Sequence, residues 1–220
     1  MLYGYKGVFF RKQDTAIRRN RFMPANRSVP DVAEKRKNWN GLISGFSASD
    51  LVFLDESGCN TDMTRRYAYS FGGNRAVDSA PLSKPKNTTI LSSIQLNGTL
   101  HYTTFSGGTT VERFKQYLEA DLLPHLNSDS VLVMDNMKSH HAKAVKELLD
   151  SSGVRYIYLP PYSPDLNPIE KLWSKVKALL CKFKARTLDA LPNAIQHAFQ
   201  TVSPSDCSGW FRSCGYMPYF

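Results

Sequence analysis

Residues 131–159 read VLVMDNMKSHHAKAVKELLDSSGVRYIYL, and this stretch predicts a strand, a helix and a second strand in succession. Its first five residues are four apolar side chains and an aspartate, a pattern typical of a buried strand that ends at a sheet edge. Residues 141–153 predict a helix that ends at Gly153, and residues 154–159 predict another buried strand. A strand, helix and strand in this order indicate an α/β fold with parallel strands.

The preceding part of the chain predicts antiparallel strands. LVFLD at residues 51–55 has the same shape as VLVMD, and RYAYSF at residues 66–71 alternates as a half-buried strand does. Residues 87–96 and 99–105 are joined by Asn97-Gly98, the strongest short signal for a hairpin. The predicted fold is therefore a mixed sheet of antiparallel hairpin strands and parallel strands, flanked by helices at residues 32–43, 111–122, 141–153, 168–181 and 188–202.

Composition limits the classes of protein to consider. The 220 residues are 42% apolar, which is enough for a core and excludes disorder as the dominant state. The net charge is +9, and residues 1–40 hold 10 Lys and Arg against 3 Asp and Glu, so most of the excess lies on an amino-terminal arm. This charge favours a polyanionic partner. Neither an apolar run of 18 residues nor a secretory signal occurs, so a cytoplasmic protein, nucleoid-associated if bacterial, is expected.

Three acidic residues are candidates for catalysis. Asp55 and Asp135 each end a predicted buried strand, where a carboxylate is costly unless it is paired, binds a metal or lies at the rim. If the two strands are neighbours, their carboxyl ends bring both acids together, although either aspartate alone is also explained as the cap of a turn. Glu170 lies near the start of the helix at residues 168–181. It is either a third acid at the sheet margin or a capping-box partner of Asn167.

Three carboxylates supply the ligands that two Mg²⁺ or Mn²⁺ ions need. Two such ions about 4 Å apart activate an attacking oxygen and stabilise a leaving oxygen at phosphorus. The GxSxG, GxxxxGK[ST] and HExxH motifs are absent from the sequence. The nucleophile-elbow serine hydrolase, P-loop NTPase and zincin classes therefore lack their catalytic parts.

Three strings resemble the acidic motifs of DDE transposases of the mariner superfamily, specifically its bacterial insertion-sequence branch. They are LVFLDESG at 51–58, VLVMDNMKSHHAKAV at 131–145 and YLPPYSPDLNPIEKLWSKVK at 158–177. Thirty-four residues separate Asp135 from Glu170, a spacing typical of that branch. The resemblance implies a ribonuclease H-like fold, with Asp55, Asp135 and Glu170 as a catalytic triad that binds two Mg²⁺ or Mn²⁺ ions. It implies an enzyme that nicks element ends and joins the freed 3′-hydroxyl to target DNA.

Other positions are expected to support this site. Asn136 and His140 match the second motif and are predicted either to support the metal ligands or to face DNA, while a local hydrogen bond at a helix start also explains His140. His141 matches no family position and is expected at the surface. Contacts with DNA phosphates are predicted for the basic side chains Arg65, Arg66, Arg75 and Lys177.

The predicted organisation is a basic arm over residues 1–46 and a ribonuclease H-like catalytic domain over residues 47–220. Relatives carry a helix-turn-helix DNA-binding region ahead of this domain, so the arm is interpreted as the stub of such a region. The resemblance implies double-stranded DNA, from element ends and target, and a second copy of the chain as partners. A separately encoded helix-turn-helix segment is a further candidate partner. The alternatives are an inactive remnant that only binds DNA or dimerises, and a ribonuclease H-like nuclease or resolvase of another family.

Overall fold

The computed structural model describes residues 30–65, 75, 77, 79 and 85–217. Three sequence predictions lie outside this part of the chain: the strand at residues 66–71, the contact of Arg66 with DNA, and the first 29 residues of the basic arm. In the described residues, no helix combines the length and the hydropathy that a membrane span requires.

A mixed sheet forms the centre of the described structure. Its strands are β1 (Leu51–Asn60), β2 (Asn87–Gln95), β3 (Leu100–Ser106), β4 (Val131–Met134) and β5 (Arg155–Tyr158), in the order β3-β2-β1-β4-β5. The pairs β1–β2 and β2–β3 are antiparallel, while β1–β4 and β4–β5 are parallel. The predicted mixed sheet is confirmed. The strand predicted as buried at residues 154–159 forms as β5, which lies at the edge of the described sheet. Val154 and Leu159 are buried, but the side chains between them are exposed or only partly covered.

Helices cover both faces of this sheet. They are α1 (Pro30–Ile43), α2 (Val111–Tyr117), α3 (Lys143–Ser152), α4 (Ile169–Phe183), α5 (Ala190–Gln200) and α6 (Pro204–Ser213). A π turn (Leu118–Leu122) and a 3₁₀ turn (Leu123–His125) continue α2. Helix α6 was not predicted, although the residues at its start are a known helix-start pattern: Ser203 and Asp206 form a capping box around Pro204.

Alternation along β1 separates the core into two layers. Leu51 and Phe53 pack with the apolar faces of α4, α5 and α6, whereas Val52 and Leu54 pack with α2 and α3. All four side chains are buried. Because successive residues of a strand point to opposite faces, β1 directs Asp55 towards α4 and Glu56 towards α2.

Helix α1 packs onto the same core, although it belongs to the segment predicted as the arm. Trp39 is buried, and its indole N–H donates to the Tyr216 hydroxyl at 3.2 Å. The Arg36 guanidinium forms an ion pair with Asp165, with 2.9 Å between Nη2 and Oδ2, in the turn that precedes α4. The described part of the arm is therefore docked, and the domain boundary at residue 46 stays a prediction.

Candidate active-site cleft

An open cleft of about 590 Å³ lies at the carboxyl end of β4, where the parallel pairing of β4 with β1 stops. The prediction that a strand ends at Asp55 is wrong, because β1 continues to Asn60 through its antiparallel pairing with β2. Leu54 and Met134 are register partners on β1 and β4, so Asp55 and Asp135 follow them at the same level of the sheet. Helix α4 adds Glu170 to the lining, and residues 159–164 form another wall. The structure thus brings the three predicted acids to one cleft.

Asp55 is the most deeply buried of these acids, with a relative exposure of 9%. Its Oδ1 accepts a hydrogen bond from the Glu56 amide at 2.8 Å, and its Oδ2 accepts one from the Trp173 indole at 3.0 Å. Burial raises the pKa of Asp55 to about 7 against these two bonds, and the charges of Asp135 and Glu170 raise it further. A cation in the cleft would stabilise the ionised Asp55 carboxylate and lower its pKa.

Trp173 is a site residue that was not among the predicted ones. It is 4% exposed and belongs to the core, so helical periodicity accounts for it completely. Only the rotation of α4 against β1 shows that its N–H points at Asp55. A buried tryptophan N–H needs an acceptor, and this requirement was the signal available in the sequence.

Asp135 is held by a turn and by a histidine. Its Oδ1 accepts hydrogen bonds from the Met137 amide at 3.0 Å and from Nδ1 of His140 at 2.8 Å. Partial burial favours the neutral acid, but these bonds and the nearby histidine charge outweigh it and lower the pKa of Asp135. The predicted turn-capping role is therefore present, and it occupies Oδ1 alone.

Glu170 lies exposed at the mouth of the cleft, in the first turn of α4. Its amide donates to the Asn167 carbonyl at 3.2 Å, but no side chain caps this helix, so the alternative of a capping box is not observed. Partial desolvation in the cleft raises the pKa of Glu170, the positive charge of Lys177 lowers it, and Asp135 raises it. Its carboxylate is thus available to the cleft.

The three carboxylates line the cleft without converging on one point. Within the part of the chain that the structure describes, no three His, Cys, Asp or Glu side chains are close enough to hold a single metal ion. The donor chemistry nevertheless fits hard divalent cations, which take carboxylate oxygens as ligands. Each Asp55 oxygen accepts one hydrogen bond and retains a second lone pair.

His140 lies beneath the cleft and not on its surface. Its ring is fully buried, with Nδ1 on Asp135 and Nε2 3.3 Å from Oε2 of Glu56. Burial alone would lower the pKa of His140, but the two carboxylates raise it to about 9. The ring contacts Asp135, as the predicted supporting role requires, and is not exposed at the cleft surface. Both predicted roles of His140, support of the metal ligands and DNA contact, stay predictions.

Two neighbours of His140 remain nearer the surface. The Asn136 side chain lines the cleft, and its amide donates to the Leu159 carbonyl just beyond β5. His141 is exposed, as expected, and stacks on Tyr158 with 4.0 Å between ring centroids.

The predicted basic contacts are distributed around the site. Arg65 and Arg75 are exposed, and Lys177 is half-buried and close enough to Glu170 to affect its pKa. A groove of about 420 Å³ adjoins the cleft through Asn136 and residues 159–161, and α1 lines it with Lys35. Lys35 was not among the predicted phosphate contacts, although it lies in the basic run EKRKNW at residues 34–39.

Comparisons with known proteins agree with this architecture. The family model of the DDE superfamily endonucleases matches residues 50–192. The Tc1 transposase of Caenorhabditis elegans is 30% identical over 83 residues, which cover 38% of this chain and 30% of Tc1. The matched region thus spans less than a third of that relative.

Solved structures of the mariner transposase Mos1 share the fold. A pre-cleavage Mos1 transpososome has a TM-score of 0.74 at 18% identity, covering 92% of this chain and 67% of that one. A Mos1 paired-end complex with the left transposon end has a TM-score of 0.75 at 18% identity, with coverages of 89% and 62%. The Mos1 catalytic domain has a TM-score of 0.63 at 16% identity, with coverages of 87% and 91%.

These likenesses confirm the predicted ribonuclease H-like fold, and the assignment to the bacterial insertion-sequence branch stays a prediction. The family model spans more than half of the chain and includes both strands and the helix that line the cleft. The chain therefore belongs to the DDE superfamily endonuclease family and is similar to the Tc1 and mariner transposases.

Proposed function

We propose that this chain is the catalytic part of a transposase, which cleaves DNA phosphodiester bonds and transfers the freed strands. The observation that carries the proposal is the meeting of Asp55, Asp135 and Glu170 in one cleft, at the point where the parallel pairing of β1 and β4 ends. In this proposal the three carboxylates hold two Mg²⁺ or Mn²⁺ ions, with water and phosphate oxygens as the remaining ligands. Two of the Mos1 structures are described as complexes with Mn and with Mg.

The residues of the chain have distinct tasks in this chemistry. Trp173 and the Glu56 amide orient the Asp55 carboxylate, and the Met137 amide orients Asp135. Bound divalent ions would neutralise the scissile phosphate and activate the attacking oxygen. Glu170, at the mouth, completes the ligand set from the side of α4.

Positive charge must hold DNA over this acidic cleft. Lys35 lines the adjoining groove, and Lys177 lies close to Glu170. We propose that both contact phosphates, together with the exposed Arg65 and Arg75 and with Arg66. The Mos1 relatives described as a transpososome and as a paired-end complex with a transposon end support double-stranded DNA as the partner.

The remaining assignments rest on the resemblance. We propose a member of the bacterial insertion-sequence branch that acts as a homodimer on element ends and target DNA. In this proposal residues 1–46 form a basic arm ahead of a catalytic domain at 47–220, and a separately encoded helix-turn-helix segment reads the element ends.

A nicking assay tests the proposal. The purified chain is incubated with supercoiled DNA and Mn²⁺ or Mg²⁺, beside D135N, which keeps the shape of the side chain. The matched control is D150N, because Asp150 is an exposed acid that bonds Tyr156 away from the cleft. Nicking by the wild type and by D150N, and its loss in D135N, is the expected result. DNA binding without nicking by every form would overturn the catalytic assignment in favour of an inactive DNA-binding module.

A further inference from the structure

Glu56 is a buried acid that the proposed chemistry does not use. Strand alternation directs its side chain to the face opposite Asp55, and it is not part of the cleft lining. Only 12% of the side chain is exposed, and His140 is the one described residue whose side chain offers a donor to this carboxylate. Its close partner is Nε2 of His140 at 3.3 Å. Burial of a carboxylate costs desolvation free energy, which the contact with His140 must offset.

The ring of His140 has close neighbours at both nitrogens and on one face. Glu56 faces one nitrogen and Asp135 the other, and the Phe114 ring lies against its face with 4.3 Å between centroids. The Tyr158 hydroxyl donates to the His140 carbonyl at 3.0 Å and fixes the backbone as well. The ring therefore connects β1, through Glu56, to the carboxylate that follows β4.

We propose that Glu56 and His140 are positioning residues for the divalent-ion site. Glu56 anchors the His140 ring, and Nδ1 of that ring fixes the Asp135 carboxylate through Oδ1, which leaves Oδ2 for an ion in the cleft. This inference rests on the proposed function, because it assigns Asp135 as a metal ligand.

The geometry explains why Asp135 needs this support. Its side chain is 39% exposed, and the Met137 amide alone would leave the carboxylate free to turn about that one bond. Asp55, by contrast, is fixed at both oxygens by its own neighbours. Partners that orient metal ligands typically change metal affinity roughly 10- to 100-fold.

Two substitutions of Glu56 separate its effect on the position of the His140 ring from the effect of its negative charge. E56Q keeps a polar group of the same shape, which can face either form of the His140 ring, so the ring stays in place. E56A removes the anchor and leaves Nε2 unsupported. The matched controls are E119Q and E119A, because Glu119 is an exposed acid in the π turn after α2 and pairs with Lys115 at the surface.

Mn²⁺ binding to the purified chain without DNA is the measurement, by calorimetry or electron paramagnetic resonance, with thermal unfolding recorded for each variant. The expected result is a Kd within about 3-fold of wild type for E56Q and a Kd roughly 10- to 100-fold weaker for E56A. Every variant is measured at a temperature below its own unfolding transition. The Kd of E119Q and of E119A for Mn²⁺ is expected to equal that of the wild type. Lowered stability of E56A with unchanged Mn²⁺ affinity would overturn the proposal and leave only a structural ion pair.

The remaining outcomes are also decisive. Equal losses of affinity in E56Q and E56A would show that the charge of Glu56 matters and not its anchoring, which overturns the positioning role. Loss of Mn²⁺ binding in D135N with full binding in E56A would overturn this inference while the proposed function stands. Absence of Mn²⁺ binding by the wild type would overturn both.

Discussion

Replacing Asp55 with asparagine is expected to stabilise the metal-free chain at neutral and alkaline pH while it removes a proposed metal ligand. The carboxyl has an ordinary pKa of 3.8, which burial in the fold raises to about 7. Between these values the folded chain keeps a proton that the unfolded chain has released. The free energy of unfolding that this group supports is therefore fully present below about pH 4 and is lost as the pH rises through about 7.

The magnitude follows from the shift. The shift of about three pKa units, at 1.36 kcal/mol each, corresponds to a loss of about 4 kcal/mol well above pH 7. Roughly 2 kcal/mol of this loss falls between pH 5 and pH 7, because the carboxyl is only half ionised at pH 7. D55N has no such loss. Its side-chain NH2 group does, however, face one of the two N–H donors that meet Asp55, the Glu56 amide or the Trp173 indole. This lost hydrogen bond costs about 1–3 kcal/mol and does not vary with pH.

Urea unfolding of wild type and D55N at pH 5 and pH 8, with a chelator present, measures the effect. The difference in unfolding free energy, D55N minus wild type, is expected to rise by about 2–3 kcal/mol from pH 5 to pH 8. Added Mn²⁺ should raise the free energy of unfolding at pH 8 more for the wild type than for D55N. A difference that stays constant with pH, or that decreases, would refute the reasoning from burial.

Three further predictions concern single contacts. W173F removes a hydrogen bond worth about 1.5–3 kcal/mol to the charged form, so the pKa of Asp55 should rise above about 7 by about one to two units, measured by carbon NMR of labelled aspartate. S203A removes the capping box of α6, which should lower the free energy of unfolding by about 1 kcal/mol and the Tm by about 2–4 °C in calorimetry. G153A places a side chain at φ 72° and should lower the free energy of unfolding by about 1–2 kcal/mol. G209A adds a methyl group in open space within α6 and should raise the free energy of unfolding by up to about 1 kcal/mol. Urea midpoints measure both changes.

Much of the architecture was predictable because its signals are local. Alternation and the Asn97-Gly98 turn predicted the β2–β3 hairpin, and Gly153 ended α3 where the pattern placed it. The partial exposure of β5 was not predictable, since an apolar run of residues does not show whether a strand has one neighbour or two. Helix α6 was missed because its apolar stripe is weak, although its capping residues are present in the sequence.

For the site, the sequence by itself determined the candidate acids, because an acid directly after a short apolar run and the SPDLNPIEKLW string are features of the linear chain. Tertiary structure alone decided what holds those acids. The bond from Trp173 to Asp55 joins residues 118 positions apart and depends on how α4 rotates against β1. The contacts of His140 with Glu56 and Asp135 likewise depend on which face of β1 each residue occupies and on the parallel register of β1 and β4. Periodicity assigns a side chain to a face, but only packing determines which partner meets it there.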